Sequence, residues 1–127
     1  MTDFANISDG HTICEKVNDI LGRVGDKWTV RVITSLREKP LRFNELKRLT
    51  GGISQQMLTR TLKALTRDGM VTRTVHPTVP PQVEYALTDL GQSLSEPVMA
   101  LGFWVMNNME AIEANRHAFD RKTDGYQ

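Results

Sequence analysis

The sequence predicts an α+β fold, mainly α, and three observations carry that expectation. Between Arg42 and Arg73, two segments with helical apolar spacing flank the pair Gly51-Gly52. After Asp68-Gly69 the apolar period shortens to strand alternation, which appears twice around a proline-containing loop. Helical patterns stand before and after this block. Helix, turn, helix, hairpin is the order of a winged helix-turn-helix, and the flanking patterns supply N- and C-terminal helices expected to dimerise.

Taken in order, residues 1–12 show no period and are expected to be mobile. Cys14, Val17, Ile20, Leu21 and Val24 recur at steps of three or four, which predicts a short amphipathic helix ahead of Gly25. Asp26 is placed to cap a helix from Lys27 carrying Trp28, Val32, Ile33 and Leu36, with Trp28 as a core anchor and Lys39-Pro40 as the stop. Phe43, Leu46 and Leu49 form a three-step stripe for a buried helix face, and Gly51 closes that helix because glycine reaches the left-handed conformation without a Cβ penalty. Ser54 caps the next helix, in which Leu58, Leu62 and Leu65 face the core and Gln55, Gln56, Thr59, Arg60 and Lys63 face out.

Val71, Arg73 and Val75 then alternate with Thr72 and Thr74, and Val83 to Leu87 alternate again. Pro77, Pro80 and Pro81 stiffen the tip of the resulting hairpin, or wing. Thr88-Asp89 opens a last helix, expected over 88–115, with Pro97 as a candidate kink. Its apolar positions Leu94, Val98, Leu101, Val105, Met109 and Ile112 approximate a seven-residue repeat broken at Asn108. Phe103, Trp104 and Met106 add apolar surface beyond what one small domain covers, and such surplus marks an interface. The candidate dimer contacts are Val17, Leu21, Leu94, Val98, Leu101, Trp104, Val105 and Met109; a buried core helix is the alternative reading of the last segment.

The outward face of the helix after Ser54 is where function is expected. Gln and Arg side chains make paired hydrogen bonds to adenine and guanine edges, and Thr bonds a base or a phosphate. Gln55, Gln56, Thr59 and Arg60 are therefore the candidate base readers, with Arg42, Lys47, Ser54 and Lys63 as candidate phosphate contacts and Arg73, His76 and Gln82 as candidate wing contacts. Many amphipathic helices with such an outer face touch nothing, so the charge pattern matters. The chain holds 16 Lys+Arg and 15 Asp+Glu. Between Arg31 and His76, however, ten basic residues stand against three acidic ones, which leaves six basic and twelve acidic elsewhere. A basic middle between acidic ends holds phosphates with one surface and keeps the rest off polyanions.

At 127 residues and 39% hydrophobic content the chain is sized for one core plus an interface helix, so a single domain over 1–127 is expected. No signal-peptide pattern or membrane-length apolar run is present, and a cytoplasmic, non-membrane protein is expected. Catalytic motifs are missing, His11, His76 and His117 lack metal spacing, and neither cofactor nor metal is expected. Cys14, the one cysteine, has two readings: a small apolar residue of the dimer interface, or a thiol sensor whose oxidation or alkylation would alter the spacing of two recognition helices.

With these residues in view, the chain resembles the HxlR family of bacterial winged-helix transcription regulators. The resemblance runs from Cys14 to about Leu94 and rests on Gly25-Asp26-Lys27-Trp28, Leu41-Arg42-Phe43-Asn44-Glu45-Leu46, Gly52-Ile53-Ser54, Leu65 with Asp68-Gly69, and the run from Val79 to Gly91. It implies a homodimer built from the first and last helices, the helix after Ile53 in the major groove and the wing near the minor groove. It further implies, for some members, sensing of quinones, aldehydes or oxidants through a cysteine at the position of Cys14. Two departures are visible: Glu15 stands where the family often has Pro, and Gln82 where a basic residue often follows the paired prolines.

The expected function is thus a sequence-specific, dimeric DNA-binding regulator, a repressor, acting on a pseudo-palindromic site in double-stranded DNA, with an oxidant or electrophile as candidate effector. A winged module that binds protein or RNA is the alternative. An enzyme with Cys14 as nucleophile is a distant third, because no base can be placed beside it from sequence.

Overall fold

The computed structural model of the protein describes residues 11–122; the expectation for residues 1–10 lies outside them. Among the described residues there are five helices and a three-stranded antiparallel sheet, in the order α1 (His11–Val24), α2 (Lys27–Leu36), β1 (Leu41–Arg42), α3 (Phe43–Leu49), α4 (Gln55–Arg67), β2 (Val71–His76), β3 (Gln82–Leu87) and α5 (Asp89–Lys122). The chain forms two compact units, one through Ser95 and one from Glu96.

Local chemistry sets the element boundaries. The Asp26 side chain accepts from the backbone N–H groups of Trp28 (2.9 Å) and Thr29 (3.4 Å) and so caps α2. Ser54 Oγ accepts from Met57 N at 3.1 Å and caps α4. Gly51, Gly52 and Gly69 all take positive φ, at 61°, 84° and 76°, where a side chain would be strained, and they make the two turns on either side of α4. Thr88 ties the start of α5 to the turn before β2: its hydroxyl donates to Gly69 O at 2.6 Å and accepts from Gly91 N at 3.1 Å. Gly91 is required at that junction, because a Cβ there would lie 2.1 Å from the Met70 carbonyl oxygen.

The core of the first unit gathers Val32, Ile33 and Leu36 of α2, Leu46 of α3, Leu58, Leu62 and Leu65 of α4, with Leu41, Ile53, Val71 and Tyr85. Trp28, Phe43 and Leu94 pack against it partly buried, so Leu94 leans on this core, although the sequence pattern had grouped it with interface positions. None of the described α1 side chains belongs to that cluster. Ile13, Ile20 and Leu21 of α1 are exposed, while Cys14, Val17 and Val24 are half-buried.

Four expectations need correction. The first helix starts at His11, inside the stretch expected to be mobile, and the last runs to Lys122 rather than ending near 115, helical on both sides of Pro97. Leu49 is 59% exposed, and Thr50 is buried in its place. Steps of three fall about 60° short of a full turn, so Leu49 drifts off the face that Leu46 buries, whereas Thr50, four residues on, returns to it. Its hydroxyl is satisfied by donating to Leu46 O at 2.7 Å. Finally, β1 was not foreseen. Its two residues pair antiparallel with β3, Leu41 opposite Tyr85 and Arg42 opposite Glu84, giving the sheet order β1-β3-β2.

Candidate nucleic-acid interface

The outward face of α4 is built as the leucine spacing requires. With Leu58, Leu62 and Leu65 buried, Gln55, Gln56, Thr59, Arg60 and Lys63 are exposed. These five together line one open concavity of about 620 Å³. The structure therefore brings all four candidate base readers and one candidate phosphate contact into a single surface. Thr61 and Thr66 on the same helix donate their hydroxyls to the carbonyls of Met57 (2.8 Å) and Leu62 (2.7 Å). Thr59 has no such bond among the described residues, so its hydroxyl is available to a ligand.

The basic block is equally exposed. All ten of its Lys and Arg residues lie on the surface, and none is ion-paired within the described residues. Two of the three acidic residues in this block are occupied otherwise. Asp68 pairs with Arg23 of α1, and Glu45 accepts from Arg42 N at 3.0 Å. Arg31 alone of the ten is engaged through its guanidinium, which donates to Thr50 O (3.1 Å) and Gly51 O (3.2 Å) and lies 5.1 Å from the Trp28 ring centroid. Nine cationic side chains are thus left to solvent or to a polyanion. Lys47 on α3 and Ser54 at the head of α4 are both exposed, and accepting from Met57 N leaves the Ser54 O–H free to donate.

The wing divides its candidates between two faces. In the β2–β3 register Arg73 stands opposite Tyr85, and Val71 opposite Leu87, on the face that reaches the core; Thr74 stands opposite Glu84, and His76 opposite Gln82, on the other. Arg73 therefore points toward α4, where it lines a second crevice, of about 380 Å³, with Thr59, Leu62, Lys63, Thr66 and Tyr85. His76 Nε2 lies 3.4 Å from Glu84 Oε1, so a carboxylate already faces its ring. Arg42 also stands opposite Glu84, from the other side of the ladder. At the tip, Val79 is fully exposed and Thr78 Oγ1 donates to Pro80 O at 2.7 Å. Sequence reasoning did not place Tyr85 beside Arg73 in this crevice; strand alternation pairs the two only once the register is known.

The remaining candidates lie on other elements. Cys14 of α1 is half-buried, and its Sγ accepts from Asn18 Nδ2 at 3.3 Å. Leu101, Trp104 and Val105 of α5 are exposed, as are Phe103 and Met106 beside them, whereas Val98, expected at an interface, is buried and Met109 is half-buried. Among the described residues no cluster of His, Cys, Asp and Glu is arranged to hold a metal ion, and no helix is long and apolar enough to cross a membrane.

This architecture has close counterparts. The family model for the HxlR-like helix-turn-helix matches residues 23–113. The chain belongs to the HxlR family. That match continues past Leu94, where the motifs legible in the sequence end, well into α5. An uncharacterized HTH-type transcriptional regulator, YtfH of Escherichia coli strain K12, is 39% identical over 112 residues, which span 87% of this chain and 89% of that protein. The solved structure of a protein described as transcriptional regulator ytfH from Salmonella typhimurium aligns with a TM-score of 0.77 at 38% identity, covering 85% of this chain and 98% of that one. The redox regulator HypR in its reduced form aligns with a TM-score of 0.72 at 36% identity, over 78% of this chain and 98% of that one. The HxlR-family chain is a helix-turn-helix transcriptional regulator of DNA-binding type, and its relatives are regulators rather than enzymes.

Proposed function

We propose that this regulator is a homodimeric, sequence-specific repressor that reads double-stranded DNA with α4. The observation that carries the reading is the concavity shared by Gln55, Gln56, Thr59, Arg60 and Lys63 on the exposed face of a capped helix inside an unpaired basic surface. Gln55, Gln56, Thr59 and Arg60 contact base edges in the major groove. Arg42, Lys47, Ser54 and Lys63 hold phosphates, and Arg73, His76 and Gln82 contact DNA from the wing. Both units act as one DNA-binding domain in the cytoplasm.

Two copies pair through α1 and α5. In support, α1 adds nothing to the core, Ile13, Ile20 and Leu21 are exposed on it, and α5 presents Leu101, Trp104 and Val105 to solvent. Apolar surface of that extent calls for a partner. The effector is an oxidant or electrophile acting at Cys14, in line with the likeness to a redox regulator. Its sulfur adds to an electrophilic carbon, with the thiol proton passing to the adduct; alternatively, two Cys14 thiols give two electrons and two protons to hydrogen peroxide, forming a disulfide and two waters. Cys14→Ser is expected to remove any change in DNA binding on treatment with a quinone or peroxide, and an unchanged response in that variant would remove Cys14 from the reading.

Selection of bound fragments from sheared genomic DNA with the reduced protein, followed by sequencing, tests the function itself. Enrichment of a near-palindromic site with half-sites about one turn, ~34 Å, apart is the expected result. Salt-sensitive retention without any enriched sequence would instead favour a winged module whose partner is RNA or protein.

A further inference from the structure

We propose that the crevice between α4 and the β2–β3 hairpin is a seat for one backbone phosphate of duplex DNA, with Tyr85 as its neutral donor and Lys63 and Arg73 as its cations; this rests on the reading of α4 as the helix that enters the groove. Tyr85 is 9% exposed, its ring packed in the core, yet its hydroxyl has no hydrogen-bond partner among the described residues and the residue lines this crevice. Among the described residues no buried side-chain nitrogen or oxygen lacks a partner, so the Tyr85 hydroxyl keeps contact with solvent, and its packed ring holds fixed a donor that meets water until an acceptor replaces it. Arg73 arrives on the same face from the opposite strand, in direct register with Tyr85.

The lining chemistry selects an anion. Lys63 and Arg73 contribute two cations and no carboxylate lines the crevice. Thr66 spends its hydroxyl proton on Leu62 O, whereas the Thr59 hydroxyl is uncommitted among the described residues. Continuity identifies the source of the anion. Thr59 and Lys63 border both this crevice and the concavity of the base-reading face, so the seat adjoins the surface that would carry the duplex, where a strand presents a phosphate at every nucleotide. A phenol forms a charge-assisted hydrogen bond to phosphate without displacing a counterion, so its removal has a different signature from loss of a cation.

The test titrates the full-length protein with a short random-sequence duplex over a range of salt concentrations. Tyr85→Phe is expected to bind about tenfold more weakly at every salt, with the slope of log affinity against log salt unchanged. Lys63→Gln and Arg73→Gln each reduce the magnitude of that slope by about 0.9. Tyr85→Phe keeps the packed ring, and a melting temperature equal to that of the wild type separates the lost contact from lost fold. Wild-type affinity in Tyr85→Phe, or unchanged slopes in both cation variants, overturns the phosphate seat while leaving DNA binding intact. Absence of duplex binding by the wild-type protein overturns the function reading itself and this seat with it. Competition with inorganic phosphate resolves the source: weaker phosphate binding in Tyr85→Phe with unaltered duplex affinity makes the crevice a free-phosphate site and overturns the proposal.

Discussion

Lys63 and Arg60 sit three residues apart on α4, less than a turn of helix, yet their expected roles differ, and single substitutions separate them. Lys63 borders the wing crevice as well as the reading face, which suits a phosphate contact. Lys63→Ala is expected to weaken binding to every duplex alike and to lower the magnitude of the salt slope by about 0.9, measured by titration over a salt series. Gly91 makes a different residue-scale point. With the Met70 carbonyl oxygen 2.1 Å from any Cβ, Gly91→Ala must shift either the start of α5 or the turn before β2. A loss of about 1–3 kcal/mol in denaturant unfolding is expected, and wild-type stability would show that this junction yields freely.

At the scale of elements, α4 is the best supported and also the most readable in the sequence. Leu58, Leu62 and Leu65 define its buried face by spacing alone, Ser54 announces its start, and Gly69 ends it by chemistry that no neighbour needs to supply. Ser54→Ala should cost about 1 kcal/mol of unfolding free energy, because Met57 N loses its acceptor. β1 was illegible for a physical reason: two residues have no period, and Leu41-Arg42 become a strand only because β3 is there to pair with them. The exchange of Leu49 for Thr50 was illegible for another, since a polar residue enters the core only where a carbonyl such as that of Leu46 can accept its hydroxyl. Strand register, likewise, is a tertiary fact. Alternation placed Arg73 and His76 on opposite faces, but only the pairing with Tyr85 and Glu84 tells which face meets α4 and which meets a carboxylate.

At the scale of the molecule, charge and apolar surface are distributed for two different partners. The exposed, unpaired basic block suits a polyanion, whereas α1 and α5 expose the large apolar side chains that suit a second copy. Trp104→Glu is expected to convert the proposed dimer to a monomer in sedimentation and, by removing the second half-site contact, to weaken operator binding far more than binding to random DNA. A dimer that survives Trp104→Glu together with Leu101→Glu would place the interface elsewhere. The central claim, that the outer face of α4 reads sequence, is tested most directly by the affinity of Arg60→Ala for the selected site relative to random duplex. This ratio is expected to fall about 5- to 150-fold, the equivalent of the about 1–3 kcal/mol lost with one paired contact to a base edge. An equal loss on both duplexes would contradict it and leave Arg60 as one more phosphate contact.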